Sequence, residues 1–170
     1  MILPIVKEPK AILHKKALPA GKLTPEIRKL IDDMIETMHA AEGVGLAANQ
    51  VGSPLNILIA SPDGKKGKEL VLLNAVLSQR RGRHRSPEGC LSIPGVSSEV
   101  TRSAEVTATG LDREGKPVTI RAKGLLTKIL QHEVDHLSGK LYVARLLPWE
   151  RADVLGRYRK FVEELKNVRL

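Results

Sequence analysis

The chain has 170 residues, of which 42 % are hydrophobic and 28 % charged, an ordinary balance for one folded domain that excludes a disordered or fibrous protein. Aromatic residues make up only 2 %, so we expect an aliphatic core and little binding of single-stranded nucleic acid by base stacking. Lysine and arginine outnumber acidic residues by 28 to 19. The resulting formal charge of +9 favours polyanionic partners without identifying one.

No apolar stretch approaches the roughly 18 residues needed to cross a bilayer, and residues 1–7 do not form a signal peptide. We therefore expect one domain over residues 1–170, no membrane association and a cytoplasmic location, with a monomer as the default state. Cys90 is the single cysteine, so an internal disulfide is excluded. In a reducing compartment this residue is either a small side chain of the core or a group that takes part in chemistry.

The first predicted helix begins at Thr24, followed by Pro25 and Glu26, and its apolar residues recur at helical spacing until Gly43. Segments rich in Val, Ile and Leu then predict strands over 55–60, 70–77, 100–111 and 117–121. Residues 112–115 predict a hairpin turn between the last two strands, with Gly115 supplying a positive φ.

A second helix, predicted from Gly124 to Gly139, is apolar nearly all round, as is typical of a buried helix. A third, amphipathic helix is predicted over 148–170, starting at Pro148. This order of elements predicts an α+β fold, with mainly antiparallel sheets wrapped around the central buried helix and with an N-terminal and a C-terminal helix.

The central helix carries a pair of histidines suited to binding a metal. His132 and His136 are four positions apart, so both imidazoles lie on one face and reach a single cation. Glu133 points elsewhere on the turn, where it can hydrogen-bond the metal's water as a general base. Two ordinary core histidines are the alternative, but a buried helix gives no apolar reason for two histidines and two acids.

A catalytic metal site of this kind needs a third protein ligand and one open position. The metzincin pattern fails, because Tyr142 stands where its third histidine belongs. A glutamate ligand, Glu163 or Glu164, would give a zinc peptidase, although both lie in a charged run. The remaining candidates are His14, His39, His84 and Cys90. A Cys/His/His set suits iron(II), zinc, nickel or cobalt and excludes magnesium and calcium.

Three separated segments carry a specific resemblance: residues 43–50 (GVGLAANQ), residues 88–92 (EGCLS) and residues 131–136 (QHEVDH). In this order and spacing they resemble the three signature motifs of peptide deformylases, and the similarity extends to about residue 147. The first motif also fits a glycine-rich dinucleotide fingerprint. That motif follows a helix rather than a strand, so we expect no dinucleotide cofactor.

The resemblance implies a metal-dependent hydrolase that removes the N-formyl group from the formylmethionine of newly made proteins and releases formate. It implies Glu133 as the proton carrier, and Gln50 with the backbone N–H of Leu91 as donors to the developing oxyanion. The implied ligands of one divalent metal per chain, usually iron(II), are Cys90, His132 and His136.

The resemblance also implies an apolar pocket for the methionine side chain and a groove for the peptide backbone. Leu125 and Ile129 fit a pocket and a plain core equally well, because helix positions facing either look alike in sequence. Gly45 and Gly89 would present backbone groups to the peptide in the manner of a β-strand. The implied pocket residues are Val44, Leu125 and Ile129, together with the face of His132.

Formylmethionyl peptides and nascent chains are the implied partners, and in bacterial-type relatives the C-terminal helix helps to dock the enzyme on the ribosome. We hypothesise the same role here for the cations Arg151, Arg157, Arg159, Lys160 and Lys166. Two rival interpretations remain. One is a zinc peptidase with a glutamate as third ligand, and the other is a basic ribosome- or RNA-associated module that keeps a metal only for stability.

Overall fold

Three α-helices and seven strands make up the computed structural model, which describes residues 1–168. The helices are α1 (Pro25–Ala40), α2 (Gly124–Leu137) and α3 (Pro148–Val168). The strands are β1 (Gly45–Ala47), β2 (Ile57–Ala60), β3 (Leu70–Arg81), β4 (His84–Cys90), β5 (Ile93–Arg102), β6 (Glu105–Leu111) and β7 (Pro117–Lys123). Short 3₁₀ helices cover Ala11–His14, Ala48–Val51 and Tyr142–Arg145.

The strands form two antiparallel sheets around α2. The larger sheet has the order β1-β2-β3-β6-β7, and the smaller consists of β4 and β5. Helix α2 packs against the larger sheet, where Ile129, Leu130 and Leu137 share a core with small and aliphatic strand residues. The predicted α+β architecture with a buried central helix is therefore confirmed.

The two outer helices also begin where the sequence predicts. Thr24 caps α1, its hydroxyl oxygen accepting the N–H of Ile27 at 3.4 Å, and Met34 and Met38 bury fully against β1, β2 and β3. Helix α3 starts at Pro148 and buries Val154 and Tyr158 against β5. The last two residues of the predicted range 148–170 lie outside the described residues.

The prediction of one strand over 100–111 is wrong. The segment contains the end of β5 and all of β6, which belong to different sheets. At the break, the N–H of Ser103 donates to Gln131 Oε1 (3.0 Å), and Gln131 Nε2 donates to the Ser103 carbonyl (2.9 Å). A side chain of α2 thus satisfies backbone groups that a continuous ladder would have paired, so the chain can change sheets.

The remaining differences from the predicted strands have simple causes. Strand β3 runs four residues beyond 77, into a polar stretch without apolar alternation. Strand β4 carries Pro87 and a single buried residue, Glu88, so hydropathy does not predict it. Strand β1 has only three residues and begins at a glycine. The hairpin turn at 112–115 lies between β6 and β7, as predicted.

Helix α3 packs on the smaller sheet at Gly95. This residue has a φ of +79°, and a β-carbon placed on it would lie 2.6 Å from the ring of Phe161. Both the backbone conformation and the space therefore favour glycine.

We expect Gly95→Ala to lower the free energy of unfolding by about 1–3 kcal/mol, because the ring must move away and the backbone is strained. Gly64→Ala isolates the strain, since Gly64 has a φ of +65° with nothing within 4 Å. Gly21→Ala controls for both effects, with open space around the residue and no positive φ. Urea denaturation of the three variants tests the prediction, which fails if Gly95→Ala costs no more than Gly64→Ala.

Candidate metal centre

Strand β4 and helix α2 bring three ligand atoms of the predicted kind together. Cys90 is the last residue of β4, and its Sγ lies 3.2 Å from His136 Nε2. His136 Nε2 is in turn 3.2 Å from His132 Nε2, one turn earlier on α2. The three atoms all lie within 4.8 Å of one another. The structure thus brings together the three residues that the sequence predicts as metal ligands.

The other candidate ligands lie elsewhere. His14 Nε2 is 2.8 Å from Glu8 Oε2, and His39 Nε2 is 2.5 Å from Glu69 Oε1. His84 is exposed at the start of β4. Glu163 and Glu164 are exposed on α3, so the arrangement of a zinc peptidase with a glutamate as third ligand is absent from residues 1–168.

The three atoms fit a metal ion by distance and by chemistry. Zinc-like ions bind imidazole nitrogen at about 2.0–2.1 Å and thiolate sulfur at about 2.3 Å, which places tetrahedral ligands roughly 3.4–3.6 Å apart. His132 Nδ1 lies 2.9 Å from the Glu88 carboxylate and so carries the proton, which leaves the Nε2 lone pair facing the other two atoms. Two imidazole nitrogens and a sulfur converging in this way form a set of donor atoms suited to one shared cation.

A charge network, composed of Glu88, Arg102, Asp135 and Arg145, fixes β4 against α2. Arg102 donates through Nε and Nη2 to the two oxygens of Glu88 (2.8 and 2.9 Å), and through Nη1 to Asp135 (2.5 Å). Arg145 donates to both oxygens of Asp135. The sequence gave no role to Glu88, whose position inside the second motif was its only signal.

The network also sets the ionisation of the acids beside the ligands. Burial acts to raise the pKa of Glu88, but the hydrogen bonds from Arg102 and His132 outweigh it and hold the pKa at about 2. Burial likewise acts against ionisation of Cys90, yet the neighbouring His136 and His132 lower the pKa of the thiol well below its usual value. The sulfur is therefore suited to bind as a thiolate.

Glu133 is a buried carboxylate with one free oxygen. The residue is 4 % exposed, lines the groove beside the three ligand atoms, and its Oε2 has no hydrogen-bond partner among the described residues. Burial raises its pKa, because the low-dielectric surroundings disfavour the charged form. A β-carbon on Gly45 would overlap Oε1 of this carboxylate and lie 2.7 Å from Ile129 Cγ2, so only glycine allows β1 to pass so close to α2.

Gln50 reaches the centre from the first motif. Its Oε1 accepts the N–H of Ala47 at 2.9 Å, which directs the Nε2 hydrogens toward Ser92 Oγ (3.2 Å) and Cys90 Sγ (3.6 Å). Asn49, its neighbour, donates to the carbonyl of His136 at 2.6 Å. The first motif is thus tied to α2 as well as to the turn after β4.

An N-terminal strap, residues 6–8, holds the two predicted oxyanion donors from outside. The N–H of Val6 donates to the Gln50 carbonyl (2.7 Å), and the N–H of Glu8 donates to the Ser92 carbonyl (3.0 Å). Between them, Lys7 Nζ donates to the Leu91 carbonyl at 2.5 Å. No sequence pattern marks these contacts, because two of the three involve only backbone atoms.

An open groove of about 450 Å³ runs along the centre and is lined by every residue that the resemblance assigns to substrate. Val44 is 42 % and Leu125 45 % exposed, unusual for aliphatic residues unless they face a groove, whereas Ile129 is 3 % exposed and also belongs to the core. The predicted residues in the lining are Val44, Gly45, Gln50, Gly89, Cys90, Leu91, Leu125, Ile129, His132 and Glu133.

The chain is similar to known proteins over most of its length. The family model described as polypeptide deformylase matches residues 2–152. A peptide deformylase of Symbiobacterium thermophilum is 50 % identical over 141 residues, which cover 83 % of this chain and 65 % of that protein. A peptide deformylase of Aquifex aeolicus is 39 % identical over 169 residues, covering 98 % of this chain and 100 % of the relative.

A solved structure gives the same result for the fold. The crystal structure of a peptide deformylase from Legionella pneumophila superposes with a TM-score of 0.93 at 38 % identity, covering 98 % of each chain. The fold, the set of three ligand atoms and the similarity to solved peptide deformylases together define a metal-dependent amide hydrolase. The chain belongs to the polypeptide deformylase family, whose members remove the N-formyl group from nascent peptides.

We expect Gly45→Ala to lower the rate of formate release by about 10- to 100-fold while metal content stays unchanged, because the added methyl group displaces the Glu133 carboxylate from its position. Gly21→Ala is the matched control, because Gly21 lies outside the groove and has nothing within 4 Å. Steady-state assays on a formylmethionyl tripeptide compare the two. An equal loss in both variants would contradict the prediction.

Proposed function

We propose that this chain deformylates formylmethionyl peptides and nascent chains at the centre formed by Cys90, His132 and His136. The observation that carries the proposal is the free oxygen of Glu133 beside three convergent ligand atoms in an open groove. A purely structural metal site has four protein ligands and needs no carboxylate at an open side. This argues against the rival RNA-associated module that keeps a metal for stability alone.

One divalent metal per chain would be held by Cys90 Sγ and by Nε2 of His132 and His136. When bound, the ion supplies Lewis acidity that lowers the pKa of water and polarises the formyl carbonyl. One soft and two borderline ligands suit iron(II), zinc, nickel and cobalt alike. We propose iron(II), the usual metal in the family that the sequence motifs resemble.

Glu133 is the proposed proton carrier. Its Oε2 takes a proton from the attacking water and later returns that proton to the nitrogen of the leaving amine. The raised pKa of this carboxyl, caused by burial, makes it a stronger base and helps it to retain the proton between the two transfers.

Gln50 and Leu91 are the proposed donors to the formyl oxygen as it becomes negative. Gln50 is 2 % exposed, and the Ala47 N–H fixes its amide so that the Nε2 hydrogens face the centre. The N-terminal strap keeps the Leu91 turn in place from the opposite side. Each fixed donor of this type contributes about 3–4 kcal/mol to stabilisation of the transition state.

The proposed methionine pocket is formed by Val44, Leu125 and Ile129 with the face of His132. An unbranched, flexible thioether side chain fits such an aliphatic surface. Backbone groups of Gly45 and Gly89 would pair with the peptide as an added strand, since neither residue carries a side chain to block its approach.

Anaerobically metallated protein should release formate from formyl-Met-Ala-Ser, and Glu133→Ala should reduce kcat by at least about 100-fold with the metal retained, because only the proton carrier is removed. Cys90→Ser should instead release the metal. Formate and bound metal are measured on the same samples. Full activity of Glu133→Ala would refute the assigned role, and a fully metallated, active Cys90→Ser protein would refute the ligand set.

The cytoplasm, where nascent chains are made, is the proposed location. No helix among residues 1–168 is long and apolar enough to cross a bilayer. We propose the ribosome as a partner through α3, whose exposed side carries Arg159 and Lys160.

We expect the double change Arg159→Gln with Lys160→Gln to reduce co-sedimentation with ribosomes several-fold at low salt, since exposed cations act over about 10 Å at moderate ionic strength. Formate release from the tripeptide should be unchanged, because neither side chain lines the groove. Unchanged co-sedimentation would exclude this part of α3 as the docking contact.

A further inference from the structure

The connection between β3 and β4 carries a cluster of arginines remote from the metal ligands. This segment, the basic tip, comprises residues 78–85 and contains Arg80, Arg81, Arg83 and Arg85 and no acidic residue. All eight residues are exposed, and Gly82 has a φ of +63°. Four positive charges therefore lie close together where the chain passes from the larger sheet to the smaller one.

Most of these charges lack a counter-ion. Among residues 1–168, Arg85 is the one arginine of the tip with ion pairs within 4 Å, to Glu99 at 3.6 Å and Glu150 at 3.1 Å. Glu105 lies opposite Arg81 in the β3–β6 register, but its ion pair is with Lys123 at 2.9 Å. Arg80 donates to the neutral amide oxygen of Gln131 at 3.3 Å. Arg81 and Arg83 form no ion pair within the described part of the chain, so their guanidinium groups are free to bind an external anion.

Helix α3 differs in this respect. Over residues 148–168 its five cations are interleaved with four carboxylates. Some of these pair along the helix, Arg157 with Asp153 at 2.9 Å and Lys166 with Glu163 at 3.7 Å. The net charge is thus +1 over 21 residues of α3 and +4 over eight residues of the basic tip, with histidine neutral. The tip is the denser source of positive potential.

Further cations flank the tip on two sides. Arg121 and Lys123 of β7 border a depression that also includes Arg81 and one acid, Glu105. On the other side, a side pocket contains Arg83, His84 and Lys128. This side pocket shares Leu125 and Lys128 with the substrate groove, so the basic surface reaches the edge of the groove.

We propose that the basic tip binds the phosphate backbone of double-stranded RNA and so brings the substrate groove to an RNA surface. Arginine binds phosphate through two parallel hydrogen bonds, and a dense unpaired cluster gains most from the release of counter-ions. The tip has no Phe, Tyr or Trp for stacking on unpaired bases and no apolar residue to insert into a lipid surface. The choice of RNA rests on the proposed function, because nascent chains are made on an RNA-rich particle.

The experiment compares two double variants of equal charge change. Arg81→Gln with Arg83→Gln removes the two unpaired arginines, while Lys65→Gln with Lys66→Gln removes two exposed lysines from the loop before β3. The probe is a fluorescein-labelled RNA duplex of about 20 base pairs, long enough to present two successive grooves. Fluorescence anisotropy is recorded over a series of salt concentrations, and formate release is measured on the same preparations.

We expect the tip variant to bind the duplex about 10-fold more weakly at low salt, with a salt slope smaller by about 2, because two phosphate contacts are lost. The lysine variant should bind like the unaltered chain, and both should keep full deformylase activity. Loss of RNA binding with intact formate release therefore supports the tip itself. Absence of formate release from all three proteins would count against the proposed function but not against RNA binding by the tip.

Three results would overturn the inference. The first is that the unaltered chain fails to bind the duplex at low salt. The second is that the two double variants lose affinity equally, which would show that only net charge matters. In the third, the tip variant keeps its affinity for RNA but loses binding to vesicles of phosphatidylglycerol and phosphatidylcholine in equal parts, which would identify the tip as a lipid-binding surface.

Discussion

The metal centre depends on the charge network that fastens β4 to α2. Removing an ion from water costs several kcal/mol even after relaxation, so buried ions are tolerated only in paired, well-bonded geometry. Glu88 and Arg102 are almost fully buried, and each finds its partners in only one relative position of strand and helix. Any slip of the two-stranded sheet would leave a buried charge unpaired, at a cost of about 3–5 kcal/mol. Cys90 is two residues from Glu88, so its distance from His136 follows from the same constraint.

In contrast to this paired network, a few buried polar groups of the described residues have no hydrogen-bond partner. An unpaired buried acceptor such as Glu133 Oε2 costs about 1–3 kcal/mol of stability. This cost is expected at a site that binds water or substrate, because the carboxylate oxygen is already desolvated and has a fixed orientation. Gly45 belongs to the same arrangement, since a larger residue there would push β1 away from α2 and open the carboxylate to water.

The sequence predicted the centre better than it predicted the sheets. Helical spacing placed His132, Glu133 and His136 correctly, because a buried helix has one geometry and its side-chain directions follow from it. Cys90 was one of several candidates until the resemblance selected it, since a contact between distant segments leaves no periodic trace. Strand β4 was missed because its stability comes from the Glu88 ion pairs rather than from alternating apolar residues.

The break between β5 and β6 illustrates the same limit. Residues 100–111 have the composition of one strand, and only the amide of Gln131, supplied by another element, ends the ladder at Ser103. The N-terminal strap is similar, because backbone hydrogen bonds do not depend on side-chain identity. Local patterns thus predict elements that are stabilised by their own apolar face, and fail where distant polar groups decide the pairing.

The basic tip ends in β4, the strand that also carries Cys90, so its positive charges could oppose binding of a cation. The distance between the two makes this effect small. The seven residues of β4 separate His84 from Cys90 by about 20 Å at the usual rise of a strand. Screening in salt of physiological strength reduces interactions between exposed charges beyond about 8 Å, so the arginines oppose metal binding only weakly. Near the centre, Arg102 and Arg145 are paired with Glu88 and Asp135, and Cys90, whose pKa is lowered, provides a sulfur that ionises readily in the presence of a cation. The chain can therefore hold a cation beneath a strongly cationic surface. The charges at the centre are buried and act on one another at short range, whereas solvent screens the exposed arginines.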